Sequence, residues 1–382
     1  MDFRLTEEQT LMRDTARQFA MDVIAPLVAK DEETHTFRPE LVRQMGEMGF
    51  YGCVIPEEYG GTGAGMVASM LVTEQVARVS ASYGVTFNMQ TQGPALTLLR
   101  WGTDAQKEKY IPGLVSADLL GAFAITEPNS GSDVVSMKTT AVRDGDDFIL
   151  NGSKTWISNA QVADVALVYA MTDRSAKHRG MTAFIVDMKK TPGVTTRAID
   201  SKLGLYLSPT GEIFFEDVRI PAANVLGEVN GGFKVCMTML DNTRLSCAAR
   251  GVGVARACLD AAIEYARERT QFGKPIADFQ LIRADLAEMF VEEEAARLLV
   301  LKAAHEKEVN PNVRNTLSVS TAKFFSAETA VKAANAALKI FGSYGFSTEY
   351  PAERLYRDAK SYQIVEGTSN IQKIIIANHL LK

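Results

Sequence analysis

The residue with the most chemical promise is Glu366, in the run Ser361-Tyr362-Gln363-Ile364-Val365-Glu366-Gly367-Thr368. It is a carboxylate in an apolar stretch, and the Gly-Thr behind it lets a loop turn sharply into a further helix. A carboxylate so placed is either a charge at a helix terminus or a general base. Four other runs could do chemistry. Thr126-Glu127-Pro128-Asn129-Ser130-Gly131-Ser132-Asp133 reads as a cluster of turn residues, or as hydroxyls and free N–H groups lining a ligand. Asn151 to Asn159 sets Trp156, one of only two tryptophans, in a strand among small hydroxyl residues. There it is a core aromatic or one wall of a pocket for a flat ring. Arg267 to Gly273 ends a helix, where Arg favours the dipole or forks a phosphate. In Asp241-Asn242-Thr243-Arg244, the Asp caps a helix or the Arg reaches an anionic ligand. Gly251-Val252-Gly253 looks like the start of a dinucleotide fingerprint, but the spacing fails at Arg256 and no strand precedes it. Close helix packing is the better account of these glycines.

These residues must be positioned by a chain of 382 residues, a length suited to two or three domains. From Leu5 to about Leu119 the apolar residues recur at helical spacing, with Leu11, Ala16 and Phe19 on one period. Pro56 to Gly63 interrupts that pattern, which resumes over Val67–Ala77. The middle then changes to short apolar runs at strand length: Phe148–Leu150, Val165–Tyr169, Ala183–Val186 and Ile213–Phe215. Asp144-Gly145, Asn151-Gly152, Pro192-Gly193 and Pro209-Thr210-Gly211 separate them as turn signals. Asn-Gly is the strongest of these as a hairpin marker. After Gly227–Gly232 the chain is helical again, with Ile282, Leu286, Met289 and Phe290 expected on one face. The pattern predicts an α+β protein in three parts: a helical domain at 1–119, an antiparallel β domain at 120–228 and a helical domain at 229–382.

Composition excludes several functions. The net charge of −5 argues against a basic, nucleic-acid-binding face. No stretch approaches the roughly 20 apolar residues of a membrane span, and the charged start lacks the pattern of a signal peptide, so a cytoplasmic protein with no membrane insertion is expected. The four cysteines form no C-x-x-C pair and the four histidines are scattered. Buried thiols and no metal site are the expectation.

Taken in order, Thr126–Asp133, Trp156-Ile157-Ser158, Arg269–Gly273, Phe341-Gly342-Ser343-Tyr344-Gly345-Phe346 and Val365-Glu366-Gly367-Thr368 resemble the flavin-dependent acyl-CoA dehydrogenases over the whole chain. The nearest-looking branch is that of the glutaryl-CoA and cyclic acyl-CoA enzymes. The resemblance implies an N-terminal helical domain, a middle β-barrel and a C-terminal four-helix bundle. It implies FAD as cofactor and Glu366 as the base that removes the α-proton of an acyl-CoA thioester. The position of Thr243, which holds the base in some relatives, cannot serve here. By the same resemblance Phe123, Ile125, Thr126, Trp156, Ser158, Gly342 and Thr368 contact the flavin, and Arg269, Phe272 and Gln280 reach the flavin of a neighbouring subunit. Ser132, Asp241 and Arg244 resemble CoA-binding positions, with Gly84 and Val365 at the acyl end. A homotetramer and an electron-transferring flavoprotein as electron acceptor are implied as partners. A non-catalytic acyl-CoA or flavin binder and a DNA-associated relative are rivals, disfavoured by Glu366 and by the acidic charge.

Glutaryl-CoA dehydrogenases hold the distal carboxylate with an Arg early in the segment Ser82–Asn88. Tyr83-Gly84-Val85-Thr86-Phe87 offers none, and an unpaired buried carboxylate is costly. A neutral short or compact acyl group is therefore expected, with an alicyclic thioester of the cyclohexane-1-carboxyl-CoA type first. Straight-chain short acyl groups and glutaryl-CoA are the alternatives.

Overall fold

The computed structural model describes residues 4–382. Helices fill the N-terminal part, among them Glu7–Phe19, Pro39–Glu47, Gly65–Val79 and Asp104–Ser116. Two of them open on a reciprocal cap, Thr6 with Gln9 and Thr103 with Gln106, which satisfies N–H groups that the first turn leaves bare. Gln106 does more, since its Nε2 also donates to the carbonyls of Ala223 and Val225 at 2.8 and 2.9 Å and so ties this helix to the middle of the chain. The segment Asn88–Ala95 widens into a π-helix around Pro94.

The middle of the chain forms one sheet of eight strands: β1 (Gly121–Ala124), β2 (Thr140–Asp144), β3 (Asp147–Ser158), β4 (Val165–Met171), β5 (Met181–Asp187), β6 (Val194–Ala198), β7 (Thr210–Pro221) and β8 (Val225–Leu226). Its order is β6-β7-β3-β2-β4-β5-β8, with β1 alongside β4. Pairing is antiparallel except that β1 runs parallel to β4 and β2 meets β4 in one parallel pair. All seven residues of β4 are buried. Val165, Leu167, Tyr169 and Met171 pack with Ile111, Leu114 and Met239 from the helices, whereas Ala166, Val168 and Ala170 pack with Phe148, Phe184 and Phe215. The period of two along the strand thus joins two cores.

Asn151-Gly152 is not the hairpin turn its sequence suggests. The turn lies at Asp144–Asp147, and Asn151-Gly152 sits inside β3 at a register shift against β7. Tertiary contacts override the local signal: Asn151 exchanges two hydrogen bonds of 2.9 Å with Asp217 across the strands, and a Cβ on Gly152 would lie 2.6 Å from the Thr139 hydroxyl.

The C-terminal part is built on the helices Gly232–Glu268, Gln280–Val309, Thr316–Phe341, Pro351–Tyr362 and Ser369–Leu380. Gly251 and Gly253 serve packing. A Cβ on Gly251 would sit 3.2 Å from the Ser326 carbonyl, and one on Gly253 only 2.4 Å from that of Glu74. On the helix Gln280–Val309, Met289 is buried but Phe290 is 49 % exposed, so it leaves the face expected of it. All four cysteines are free and buried. Burial pushes the thiols of Cys53 and Cys236 up to about 12 and raises those of Cys247 and Cys258 as well. Among the described residues no helix is long and apolar enough to cross a membrane, and no cluster of His, Cys, Asp and Glu could hold a metal.

Candidate active site

Glu366 lies in the turn between the helices Pro351–Tyr362 and Ser369–Leu380. It takes a left-handed conformation, φ +58°, followed by Gly367 at φ +84°. For a side chain other than glycine this costs on the order of 1 kcal/mol, so the surroundings must hold it. They do so through the main chain. Arg244 Nε and Gln372 Nε2 donate to the Glu366 carbonyl at 3.1 and 3.2 Å. Lys323 Nζ and Gln372 Nε2 donate to the Gly367 carbonyl at 2.6 and 3.0 Å. Thr368 then caps the last helix, its hydroxyl accepting from the Ile371 N–H at 3.2 Å.

The carboxylate of Glu366 is fixed separately, one donor to each oxygen. Asn88 Nδ2 donates to Oε1 at 2.9 Å and the Thr243 hydroxyl to Oε2 at 2.6 Å. Asn88, Thr243, Lys323, Arg244 and Gln372 thus converge on two residues of the turn from four separate elements. Only Arg244 and the unsuitability of Thr243 as a base are signalled in the sequence. Asn88, Lys323 and Gln372 stand far apart along the chain, and nothing local marks them. The N–H of Glu366 donates to no group among the described residues, so it is free for a ligand.

Around this turn the cations are buried. Desolvation lowers the Lys323 ammonium, opposed by Cys247 and Glu366. It also lowers the Arg244 guanidinium, opposed by Asp241 and Glu366. Asp241 is almost wholly buried and accepts from Arg314 Nε at 2.7 Å and from the Thr316 hydroxyl at 3.0 Å. It borders a cleft of about 730 Å³ that also takes in Thr238, Asn242, Lys307 and Arg314. Val365 is partly exposed on the turn, and Ser132 is exposed on a loop.

A second group gathers at the sheet. Phe123 lies on β1, and the chain beyond it is pinned to β3: Lys154 Nζ donates to the Ile125 carbonyl at 3.1 Å and the Thr155 N–H to the Thr126 carbonyl at 2.9 Å. Lys154 is fully buried and pairs with Glu127 at 2.8 Å, which holds the Glu127 carboxyl below its ordinary range against the cost of burial. Trp156 sits at the second register shift of β3 with φ +59°, and this turns its ring outward to 58 % exposure. A bulge re-aims a side chain in this way. Thr126 and Ser158 are half-buried near it, and their hydroxyls bond to nothing among the described residues. An uncovered aromatic face beside unpaired hydroxyls fits a flat ring bearing hydrogen-bonding atoms, as an isoalloxazine does. Ile125 itself points into the core, 6 % exposed, and only its main chain is left for that edge.

The third group lies elsewhere. Arg269 and Phe272 belong to a small hairpin, β9 (Thr270–Gln271) and β10 (Lys274–Pro275), and Gln280 begins the next helix. The Arg269 guanidinium lies 5.3 Å from the centre of the Tyr344 ring, beside exposed Gly342. Phe272 is 94 % exposed. No hydrogen bond, ion pair or ring contact among the described residues joins this group to Trp156 or to Glu366.

Helical ends around a β domain, a carboxylate on a clamped turn and a flavin-shaped edge define a flavin-dependent dehydrogenase. Comparison with known proteins agrees. Residues 6–118, 122–218 and 230–381 match the N-terminal, middle and C-terminal domains of acyl-CoA dehydrogenase. A glutaryl-CoA dehydrogenase from Desulfococcus multivorans is 50 % identical over 380 residues, 99 % of this chain and 97 % of the relative. The solved structure of a glutaryl-coenzyme A dehydrogenase with glutaryl-CoA has a TM-score of 0.97 at 49 % identity, covering 100 % of this chain and 97 % of that one. A glutaryl-CoA dehydrogenase from Mycobacterium smegmatis solved with FADH2 has a TM-score of 0.93 at 31 % identity, covering 98 % and 95 %. The chain belongs to the acyl-CoA dehydrogenase family, and it is an FAD-dependent oxidoreductase of that family.

Proposed function

We propose that this enzyme introduces a double bond between the α and β carbons of a short or compact acyl-CoA thioester, with Glu366 as the base. The observation that carries this reading is the Glu366 turn: a carboxylate held at both oxygens, on a strained main chain clamped by four hydrogen bonds, with a free N–H beside it. An α-proton next to a thioester is only weakly acidic, so negative charge developing on the carbonyl oxygen must be stabilised as the proton leaves. The Glu366 N–H is the donor for that oxygen. Asn88 and Thr243 keep the carboxylate from swinging away, which holds base and substrate at a fixed approach. Arg244 and Asp241, already tied to the turn and to Arg314, place the CoA portion. FAD, when bound along Trp156, Thr126 and Ser158, supplies the acceptor for the β-hydrogen, which departs with its electron pair. Phe272 and Arg269 complete a site on a second copy, in a homotetramer whose reduced cofactor is reoxidised by an electron-transferring flavoprotein. A cytoplasmic setting goes with this reading.

Within the compact class, the neutral alicyclic thioester cyclohexane-1-carboxyl-CoA is placed first on the small and apolar residues of the segment Ser82–Pro94. Its neutrality rests only on the lack of an arginine between Ser82 and Asn88. A panel of acyl-CoA thioesters assayed with an artificial electron acceptor tests the function. Bleaching of the bound flavin by at least one of them is expected, and no bleaching by any acyl-CoA would refute it.

A further inference from the structure

The buried pair of Lys154 and Glu127 has no part in the chemistry described so far. Lys154 is 0 % exposed and Glu127 6 %. Every direction open to the ammonium is filled: the Ile125 carbonyl at 3.1 Å, Glu127 Oε1 at 2.8 Å and Met137 Sδ at 3.8 Å. The carboxylate is filled in turn, with Oε1 accepting from the Thr139 N–H at 3.0 Å and Oε2 from the Lys138 N–H. Nothing of the pair is left to touch a ligand. Stability does not account for it either, because apolar side chains of like volume often serve as well as a buried ion pair or better. A charged side chain closed inside an inner strand of the sheet therefore asks for another reason.

The reason lies in what the Ile125 carbonyl is joined to. It shares a peptide unit with the Thr126 N–H, and in a trans peptide the two point in opposite directions. The carbonyls of Ile125 and Thr126 are both bonded to β3, the second accepting from the Thr155 N–H at 2.9 Å. The Thr126 N–H and hydroxyl donate to nothing among the described residues. An ammonium on the carbonyl draws electron density toward the oxygen and so strengthens the donor at the other end of the unit. Glu127 cancels the net charge of Lys154, and what remains is direction: a fixed donor on one carbonyl. We propose that Lys154 is a positioning residue for the flavin, acting through the Ile125–Thr126 peptide so that the Thr126 N–H meets a flavin acceptor atom as a fixed, polarised donor. This rests on the placement of FAD along Trp156, Thr126 and Ser158. A polarised donor favours the state of the cofactor with more negative charge, which is the reduced one. Lys154 therefore raises the midpoint potential of bound FAD.

Lys154→Met keeps an unbranched side chain of similar volume and removes the charge. The readouts are the dissociation constant of FAD from the apoprotein and the midpoint potential of the holoenzyme at pH 7. Binding of oxidised FAD should weaken about tenfold. Binding of reduced FAD should weaken about tenfold more, so that the midpoint falls by about 30 mV for a two-electron couple. A purely structural Lys154 would weaken both states alike and leave the midpoint at its wild-type value, which would overturn the proposal. Where Lys154→Met gives no folded holoenzyme, Glu127→Gln decides. It removes the counter-charge that keeps the Lys154 ammonium protonated, burial having already brought that group down to about 8. The midpoint should fall in the same direction by less, and an unchanged value overturns the proposal equally. The placement of the flavin is checked separately. In Trp101→Phe the one tryptophan left is Trp156, and FAD added to the apoprotein should quench its fluorescence. Quenching together with an unshifted midpoint in the Lys154 variant sinks this inference alone. No quenching would mean that the flavin lies elsewhere, and the placement and the inference fall together.

Discussion

Two turns of this molecule share a local shape and differ in everything around it. Glu366-Gly367 and Phe272-Gly273 each set a bulky residue in the left-handed region, at φ +58° and +50°, ahead of a glycine at +84° and +78°. At Glu366 the turn is enclosed by Asn88, Thr243, Arg244, Lys323 and Gln372. At Phe272 it stands in the open, a hairpin tip whose ring, among the described residues, pairs with that of Phe279 at 6.0 Å. A left-handed residue before glycine is inexpensive in a hairpin, because it suits the twist of the strands. Off a sheet it must be held by outside contacts. The first turn is thus finished by its own chain, and the second presents a large apolar group that its own chain leaves almost wholly exposed.

Replacing Glu366 with Gln should break the first turn's chemistry and spare its shape. Turnover should fall about a thousandfold, within the range for losing a general base, while the flavin spectrum and the melting temperature stay near wild type; retained turnover would remove Glu366 as the base. Next in size is a pair of matched substitutions. Gly273→Ala meets nothing within 4 Å and should cost only the strain of its conformation, about 1 kcal/mol. Gly367→Ala carries the same strain and also places a Cβ 2.7 Å from Gln372 Nε2, so its loss of stability should be visibly greater in denaturant unfolding. Equal losses would mean that the clamp does not hold the turn. Thr243→Val removes one donor from the carboxylate and should lower kcat about tenfold, with KM for the thioester changing less; steady-state kinetics separates the two. Phe272→Ala should leave the unfolding free energy of the protomer within about 0.5 kcal/mol of wild type. Its effect should appear in the flavin content of purified protein and in sedimentation, and no change in either would deny the hairpin a role in assembly.

The sequence made the three-part order of the fold legible, because helical and strand periods change once at each end of the middle segment. It made the sharp turn at Glu366 legible too, through the Gly-Thr that follows it. What it could not reveal was whatever depends on distant elements meeting. Asn88 reads as one more polar residue in an apolar helix until it is seen to lie 2.9 Å from a carboxylate 278 residues away. Asn151-Gly152 carried a true local preference that cross-strand bonds outweighed. The sequence shows no arginine between Ser82 and Asn88, but nothing in it shows that Arg250, 166 residues beyond Gly84, packs against that glycine.

The four cysteines lend the protein a use of its own. A thiol reacts as thiolate and only where a reagent can reach it, and here burial denies both. Alkylation of the native enzyme therefore reports opening events rather than surface chemistry. Cys53 reports on the N-terminal core, Cys236 on the seam between helices and sheet, and Cys247 and Cys258 on the helical core. Labelling rates at these positions, read with and without flavin, would show which part of the molecule the cofactor holds shut.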